Sequence, residues 1–430
     1  MKKDYQTSSS AAAMPVPDAV TVAMADLAGE LREGLLALAV GAGLQVMDAL
    51  IEESVTALCG PKGRHDKDRQ AVRHGHEDGS VALGGRKVPI RRPRVRSADR
   101  TRELEVPAYE HFSSTEVLGR LAMEKMLAKL STRRYRVGLE PVGVEVEERS
   151  KGKSRSAVSR RFVQATEHAL KELLTTRLEG LDLVALMVDG VHFADHVCVV
   201  AMGIDLSGKK HPLALAEGDT ENATVVKDLL VDLRERGLDV TAPILVVIDG
   251  AKALSSAVRA VFDHPVIHRC QLHKVRNVES KLPKALASTV TKRMRAIYHY
   301  DDALRAEAEL TDLARQLQKS HPGAAGSLRE GLSETLTVMR LEVPPSLART
   351  LRSTNAIESM IEICRDHSAN VKRWRDGEMA LRWCAAGMAE AAKQFRKVNG
   401  FSHLPALKKA LEEHVRRAEP PVDYNKEDAA

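Results

Sequence analysis

The chain has 430 residues, of which 43% are hydrophobic and 29% are charged, and its formal net charge is +6. This composition excludes a largely disordered chain, and the length predicts about two to four domains. Aromatic residues make up only 3%, which excludes extensive base-stacking platforms, whereas the positive charge suits a polyanionic partner.

The N-terminal 20 residues are predicted to be a disordered tail. They lack the apolar segment of a signal peptide, so a signal peptide is not predicted. The longest apolar run, residues 34–47, is too short to span a bilayer. Five scattered cysteines predict reduced thiols. We therefore expect a soluble cytoplasmic protein with no membrane partner.

Residues 21–114 form a predicted N-terminal region with a helix and a basic β segment. Apolar residues at helical spacing between 26 and 59 predict one helix or two short ones, and residues 64–79 are predicted to be a polar loop. RKVPIRRPRVR (86–96) has six Lys or Arg and no acidic residue. A solvated edge strand is one interpretation, and DNA phosphate contact is the other. The predicted contacts are Arg91, Arg92 and Arg94.

Residues 115–180 are predicted to be a helical DNA-binding region with a helix-turn-helix. The segment 151–174 begins with the polar, Ser- and Arg-rich face of a recognition helix, with Ser154 as its N-cap. An acidic insertion, residues 140–148, widens the preceding turn, and an ordinary surface helix is the alternative. The residues predicted to contact DNA are Lys153, Ser154, Arg155, Ser156, Ser159 and Arg160.

From residue 181 the pattern becomes strand-like. Three apolar, β-branched runs predict antiparallel strands at 183–188, 196–205 and 211–218. An amphipathic helix follows at 221–237, which Asn222 or Thr220 could cap and Gly237 ends. Two further strands, 244–249 and 265–269, flank another helix. This is the strand and helix order of an RNase H-like sheet.

The predicted fold class is therefore α/β, an RNase H-like core preceded by a mostly helical DNA-binding region. Residues 181–270 and 351–400 form the two parts of the core. Residues 271–350 have a helical pattern without strands, which predicts an all-helical insertion. Residues 401–430 are predicted to be a C-terminal tail.

Two of the predicted strands end in Asp-Gly, at Asp189-Gly190 and Asp249-Gly250. Carboxylates at the ends of adjacent strands can converge and hold two Mg²⁺ or Mn²⁺ ions, as phosphodiester chemistry requires. A single Asp-Gly after a strand is more often only a turn. Two such pairs in this strand order favour the catalytic interpretation.

A third carboxylate is expected from a helix that packs on the sheet. RSTNAIESMIEICRDH (352–367) offers Glu358, with Glu362 one turn further on the same face. Glu358 could instead belong to a capping box that begins at Asn355. Spacing leaves these alternatives open.

Four segments resemble the Mutator-type bacterial insertion-sequence transposases, a DDE family: TENATVVKDLLVDLRERGL, VVIDGAKAL, HRCQLHKVRNV and RSTNAIESM. The resemblance covers about residues 181–400. It implies an RNase H-like catalytic domain interrupted by a helical insertion. It also implies that Asp189, Asp249 and Glu358 form the metal-binding catalytic triad, which favours Glu358 over Glu362. The acidic insertion and the basic, Ala-rich N-terminal region depart from the family pattern.

Cys270-x-x-His273 matches the C-x-x-H element of that family, with a structural or DNA-contact role. Structural zinc needs four ligands, and Cys364-x-x-His367 is a second pair of the same spacing. Buried Cys as a small hydrophobe and His bonded to backbone or DNA are commoner. We therefore do not predict a structural zinc.

A basic segment around Trp374 is a further candidate DNA contact, together with Lys372 and Arg373. In related DDE enzymes an aromatic residue near this place can stack on an unpaired base. Core packing is the alternative for Trp374, and it is the favoured interpretation for Trp383.

The resemblance implies a DDE transposase that binds terminal inverted repeats through residues 86–170, cleaves transposon ends and transfers strands into target DNA. Its partners would be double-stranded DNA, both repeats and target, and a second copy in a homodimer on paired ends. It would be nucleoid-associated when bound to DNA. The alternatives are an RNase H-like nuclease without strand transfer and a non-catalytic DNA-binding repressor derived from a transposase.

Overall fold

A computed structural model describes residues 18–64, 69–220 and 222–418. The chain divides into two compact units, residues 1–126 with 130–162, and residues 127–129 with 163–430. Of the predicted N-terminal tail, residues 1–17 lie outside the described residues, and residues 18–20 begin the first helix.

The first unit combines helices with a three-stranded antiparallel sheet of order β1-β2-β3. Its elements in chain order are α1 (Asp18–Cys59), β1 (Ala71–Leu83), β2 (Arg86–Ser97), β3 (Glu103–Leu104), α2 (Pro107–Ser113), α3 (Thr115–Leu127), a 3₁₀ turn (Tyr135–Gly138), α4 (Val144–Arg149) and α5 (Arg155–Thr175), which continues into the second unit.

The β1–β2 hairpin confirms the basic β segment and corrects the loop before it. Residues 71–79, predicted to be polar loop, belong to β1, whose ladder with β2 runs from Ala71–Ser97 to Leu83–Arg86. Gly84 and Gly85 have φ values of 56° and 80°, as a tight hairpin turn requires. The strand escaped prediction because its polar residues show little β propensity, and pairing with β2 decides its conformation.

Helix α1 is a single helix, one of the two arrangements that the spacing allowed. Its segment Gly34–Cys59 is long and apolar enough to cross a membrane by length and composition, and thus exceeds the run of 34–47 on which the prediction rested. Only 6% of that window is buried, whereas core helices of soluble proteins that pass the same test are mostly buried. Near its end, Ile51 and Val55 pack against Val95 and Val106 in a small core.

The acidic insertion at 140–148 does not simply widen a turn, because it contains most of the short helix α4. Ser154 Oγ accepts a hydrogen bond from the Ala157 N–H at 3.3 Å, which confirms Ser154 as an N-cap. Lys153 Nζ donates to Glu147 Oε1 at 2.6 Å and to Ser150 Oγ at 2.9 Å. The loop between α4 and α5 is therefore fixed by this lysine.

The second unit contains the larger sheet and the remaining helices. Its elements are β4 (Leu183–Phe193), β5 (His196–Asp205), β6 (Lys210–Glu217), α6 (Ala223–Glu235), β7 (Ile244–Ile248), α7 (Lys252–Val261), β8 (Pro265–Arg269), α8 (Gln271–Glu279), α9 (Lys284–Ile297), α10 (Ala303–Leu317), α11 (Pro322–Arg329), α12 (Leu332–Thr335), α13 (Thr337–Arg340), α14 (Pro345–Leu351), α15 (Asn355–Ser368), α16 (Gly377–Gln394), a 3₁₀ turn (Phe401–His403) and α17 (Leu404–Ala418).

The larger sheet has the order β6-β5-β4-β7-β8. Strands β4, β5 and β6 pair antiparallel, and β7 and β8 join them in parallel, as the sequence predicted. Apolar residues of α6 and α7 pack on one face of the sheet, and α14 to α17 pack on the other. The sheet is thus buried between two helical layers, which is the α/β class expected.

The connection between β6 and β7 follows the predicted helix signals. The Asn222 side chain accepts hydrogen bonds from the N–H groups of Thr224 and Val225, so Asn222 is the N-cap of α6. Gly237 follows the helix with a φ of 95°. Both predictions at the helix ends are confirmed.

Residues 271–350, all of which the structure describes, contain helices and no strand, as predicted. The prediction of a tail from residue 401 is wrong as far as residue 418. Leu404, Leu407 and Leu411 of α17 are fully buried in the core beside the sheet. This segment resembled a tail because a single short amphipathic helix gives no sign of its packing partner.

We expect Gly387→Ala to destabilise the second unit and Gly326→Ala to stabilise it. A Cβ at Gly387 would lie 2.8 Å from Cys364 Cα, whereas one at Gly326 would meet no heavy atom within 4 Å. Overpacking of α15 against α16 should cost about 1–3 kcal/mol. Gly326 lies within α11, where alanine should gain about 0.5–1 kcal/mol. Thermal unfolding followed by circular dichroism should give this ranking, and equal stabilisation by both changes would contradict the close packing.

Candidate active site

The parallel pairing of β4 and β7 aligns Asp189 with Asp249. Met187 pairs with Val247, so each aspartate lies two residues beyond the same ladder position. Residues two apart in a strand point to the same face. Met187 and Val247 both belong to the core shared with α15 and α16, so both carboxyl groups project toward that helical layer.

The two Asp-Gly pairs occupy different backbone positions. Asp249 follows β7, and Gly250 has a φ of 111°, which favours glycine. The prediction that the first strand ends before Asp189 is wrong, because β4 continues to Phe193 through its pairing with β5. Asp189 instead lies within β4, beside the end of the parallel strand β7. His192 is exposed within β4.

Glu358 lies in the first turns of α15, on the helical layer that Asp189 and Asp249 face. Its Oε1 accepts a hydrogen bond from Thr354 Oγ1 at 2.6 Å. The helix begins at Asn355 with Thr354 as its N-cap, and the Thr354 N–H donates to Cys270 Sγ at 3.4 Å. The hypothesis that Asn355 is the N-cap and that Glu358 belongs to its capping box is therefore wrong.

Glu362, the alternative third carboxylate, has a different environment. It is exposed and lines a separate surface cavity with Ser359, Asp366 and His367. The half-buried Glu358 is the carboxylate that acts electrostatically on Asp189.

Electrostatics link the three carboxylates. Burial, followed by repulsion from Asp249 and Glu358, raises the pKa of Asp189 to about 6. A hydrogen bond from the Gly190 N–H, 2.7 Å from Asp189 Oδ1, and the nearby His273 only partly oppose this shift. The group thus carries uncompensated negative charge, a condition that favours a bound cation.

His273 and Cys270 border this cluster. The hydrogen bond with Cys270, together with the charges of Cys270, Asp189 and Glu358, raises the pKa of His273 to about 9 despite burial. Burial raises the pKa of the Cys270 thiol, but hydrogen bonds from His273 and Thr354 outweigh it and lower that pKa. His273 Nδ1 lies 3.9 Å from Glu358 Oε1.

The ends of the helical insertion meet at this site. The Cys270 N–H donates to Ile248 O at 2.8 Å, and the Gln271 N–H donates to Arg352 O at 3.1 Å. The chain therefore leaves the sheet and returns to it at one point, which positions α15 and Glu358. Thr354 is buried at this junction and hydrogen-bonds to Cys270 and His273. The sequence did not predict this role, because these partners lie more than 80 residues earlier in the chain.

The second C-x-x-H pair has other partners. Cys364 Sγ donates to Cys384 O at 3.7 Å in the core, and His367 Nδ1 lies 2.7 Å from Leu127 O. Among the described residues, Cys270 and His273 are grouped with Glu358 and not with this pair. The hypothetical four-residue zinc site is therefore not assembled.

The predicted DNA contacts on β2 are largely engaged in ion pairs. Arg92 Nε donates to Glu77 Oε1 at 2.6 Å, and Arg94 Nε donates to Glu103 Oε1 at 3.1 Å. Arg91 is exposed, 3.7 Å from Asp78. Of the three, Arg91 thus keeps the most accessible guanidinium.

The predicted recognition face of α5 is exposed, apart from Lys153, which has the partners described above. Val158 and Phe162, on another side of this helix, are buried. The exposed residues are Ser154, Arg155, Ser156, Ser159 and Arg160.

Trp374 lies in the loop between α15 and α16, half-buried against aromatic neighbours. Its ring centroid is 4.9 Å from that of Phe193 and 6.3 Å from that of Trp383. Packing against these two rings thus accounts for much of the burial of the Trp374 side chain. Lys372 and Arg373 beside it are exposed.

Residues 32–398, which include all three carboxylates, match the family described as Transposase, Mutator family. The chain belongs to the Mutator family of transposases. It is 30% identical over 265 residues to the transposase for insertion sequence element IS6120 of Mycolicibacterium smegmatis, across 60% of this chain and 80% of that protein. It is 25% identical over 379 residues to the transposase for insertion sequence element ISRM5 of Rhizobium meliloti, across 87% and 92%.

Another relative is the transposase for insertion sequence element IS256 in transposon Tn4001 of Staphylococcus aureus, 25% identical over 309 residues, or 68% of this chain and 74% of that protein. These matches confirm the resemblance that the four sequence segments indicated. A Mutator-family transposase acts on DNA, so the basic charge of the chain has its expected partner.

We expect Asp189→Asn to stabilise this transposase at neutral pH in metal-free buffer. The pKa of Asp189 rises from 3.8 to about 6 on folding, so the folded state binds more protons between these pH values and loses stability as the pH rises through them. Removing the charge should raise the free energy of unfolding by about 1–3 kcal/mol near pH 7.5 and should change it little near pH 4.

Urea unfolding with a chelator at both pH values measures this difference. Asp195→Asn, in the exposed β4–β5 turn, is the matched control and should change little. A variant at Asp189 that is less stable than the parent near pH 7.5 would contradict the electrostatic account.

Proposed function

We propose that this Mutator-family transposase is a DDE enzyme that cleaves transposon ends and transfers the freed strand into target DNA. Asp189, Asp249 and Glu358 would be its catalytic, metal-binding residues. The observation that carries the proposal is the convergence of two aligned aspartates and a helical glutamate at one face of the sheet.

An RNase H-like assignment of the larger sheet is part of this proposal. Three antiparallel strands followed by two parallel ones support it, as does a helical segment between the second and third carboxylates. In such a core the carboxylates reach the active site from separate elements, which fixes their spacing through packing of the whole domain.

The three carboxylates suit two Mg²⁺ or Mn²⁺ ions, which prefer oxygen ligands. The pKa of Asp189 is raised mainly by burial and further by repulsion from Asp249 and Glu358, and bound cations would offset the cost of ionising this buried carboxyl group. When bound, such ions activate the attacking oxygen and stabilise the leaving oxygen.

The chain itself would orient the reacting groups. N–H groups of Gly190 and Ala251 hold one oxygen of Asp189 and of Asp249, at 2.7 and 2.9 Å. Thr354 holds Glu358, and the positive charge on His273 favours approach of a phosphate to the acidic cluster.

Water would attack the end phosphodiester, and the freed 3′-hydroxyl would then attack target DNA. In-line transfers of this kind need no Ser or Tyr nucleophile.

DNA recognition is proposed for a helix-turn-helix formed by α4 and α5. The loop between them is short and is tied by Lys153, and α5 presents Arg155, Ser156, Ser159 and Arg160 to solvent. These side chains would read the terminal inverted repeats in the major groove. Arg91, Lys372 and Arg373 would contact phosphates of the repeats or the target. A homodimer on paired ends would bring two repeats together.

We expect Glu358→Gln to reduce end cleavage and strand joining by at least about 100-fold, whereas Glu362→Gln should change them little. The charge of Glu358 acts on Asp189, whereas Glu362 is exposed to solvent elsewhere. Purified protein with Mg²⁺ or Mn²⁺ on labelled DNA that carries the element's own terminal repeats provides the assay.

Loss of joining only in the Glu362 variant would move the third carboxylate by one turn and overturn the assignment. Cleavage without joining in the parent would favour the nuclease. Repeat binding without any cleavage would favour the repressor.

We expect the double variant Arg155→Ala with Arg160→Ala to bind repeat DNA with a shallower salt dependence. Each lost phosphate contact should lower the slope of log affinity against log salt by about 0.9, so two contacts predict a change of about two. Fluorescence anisotropy across a salt series measures the slope. Arg305→Ala with Arg315→Ala, two exposed arginines of α10, is the matched control. Equal slopes for the parent and the α5 variant would exclude this face from the interface.

A further inference from the structure

A second donor cluster lies beside the three carboxylates and shares one of them. Cys270 Sγ, a nitrogen of His273 and a carboxylate oxygen of Glu358 all lie within 4.8 Å of one another. Thr354 Oγ1 lies 3.4 Å from Cys270 Sγ, 3.4 Å from His273 Nδ1 and 2.6 Å from Glu358 Oε1. Four side chains from two elements thus surround a small volume.

The backbone fixes this arrangement before any ligand binds. Cys270 is the N-cap of α8, and His273 lies in the first turn of that helix. The N–H of Thr354 donates to Cys270 Sγ, which holds the start of α15 against the start of α8. Glu358 lies one turn further along α15. The donors therefore come from two short, rigid helix starts, as a preorganised site requires.

We propose that Cys270, His273 and Glu358 form a site for Zn²⁺ or a similar transition-metal ion, with Thr354 or water as the fourth ligand. Thiolate, imidazole and carboxylate are the donors that zinc accepts, whereas Mg²⁺ does not use sulfur. Ligands of tetrahedral zinc lie about 3.3–3.8 Å apart. The His273–Glu358 separation of 3.9 Å therefore needs little adjustment.

Access to this site is open on one side. Cys270 is fully buried, but the side chains of His273 and Glu358 are 26% and 31% exposed. A metal ion can reach the exposed donors first and then the sulfur. The site thus differs from a closed structural zinc site, and it differs from the four-residue set considered from the sequence.

Sharing of Glu358 couples the two sites. A carboxylate bound to Zn²⁺ beside Cys270 is withdrawn from Asp189 and Asp249, so Zn²⁺ should inhibit the Mg²⁺- or Mn²⁺-dependent reaction. This consequence rests on the proposed function. The binding of Zn²⁺ itself does not, because it needs neither DNA nor turnover.

Titration of the chelator-treated full-length protein with Co²⁺ tests the site without DNA. We expect the near-ultraviolet thiolate-to-cobalt charge-transfer band to appear and to correspond to one thiolate-bound Co²⁺ per chain, and Zn²⁺ should then abolish it, whereas Co²⁺ bound only to carboxylates gives no such band. Cys270→Ser should remove the band, whereas Cys59→Ser, at the half-buried thiol of the first unit, should retain it. Absence of the band in the parent, or its persistence in Cys270→Ser, would overturn the proposal.

Competition for Zn²⁺ with a colorimetric chelator tests the shared carboxylate. Even loss of a supporting residue typically costs 10- to 100-fold in metal affinity, so Glu358→Gln should weaken Zn²⁺ binding by at least about tenfold. Glu362→Gln is the matched control and should bind as the parent does. Equal affinities for the two variants would remove Glu358 from the site.

Circular dichroism establishes that each variant folds. If Cys270→Ser does not fold, His273→Asn decides the result. Its cobalt complex should keep the charge-transfer band but bind at least about tenfold more weakly. Unchanged affinity in His273→Asn would overturn the proposal. Failure of the proposed cleavage activity would leave these metal titrations interpretable.

Discussion

The parallel register between β4 and β7 is the constraint on which the candidate active site depends. A shift of one residue would turn one aspartate to the opposite face of the sheet, toward α6 and α7. Apolar residues on both faces fix the register, because Met187 and Val247 pack toward α15 while Val188 and Ile248 pack toward α7. The positions of Asp189 and Asp249 therefore follow from burial of their neighbours.

Burial of Asp189 beside the other carboxylates lowers the stability of the folded state. Asp189 is removed from water and faces two further carboxylates, so its ionised form is disfavoured. The extensive apolar core around the sheet tolerates this cost, as stable scaffolds commonly do at functional sites. A cluster that is unfavourable without cations is also one that cations can bind strongly. The charge repulsion and the proposed metal binding thus have one origin.

The helical insertion is connected to this site through its ends. Both ends meet where Gln271 bonds to Arg352 and where Thr354 bonds to Cys270. These contacts hold the start of α15, and with it Glu358, beside the start of α8. In the first unit, carboxylates neutralise Arg92 and Arg94, whereas Arg155 and Arg160 remain exposed. The basic residues of the chain thus differ in how freely they can meet DNA.

Local sequence patterns determined the α/β class, the strand order of the larger sheet, the N-caps at Ser154 and Asn222, and the family. Each depends on periodicity or on residues close together in the chain. Tertiary structure alone decided that residues 71–79 form a strand, that residues 404–418 pack in the core, and that β4 continues past Asp189. It also brought Thr354, Cys270 and His273 to Glu358. These features arise from contacts between distant segments, and spacing along the chain carries no information about which partners meet.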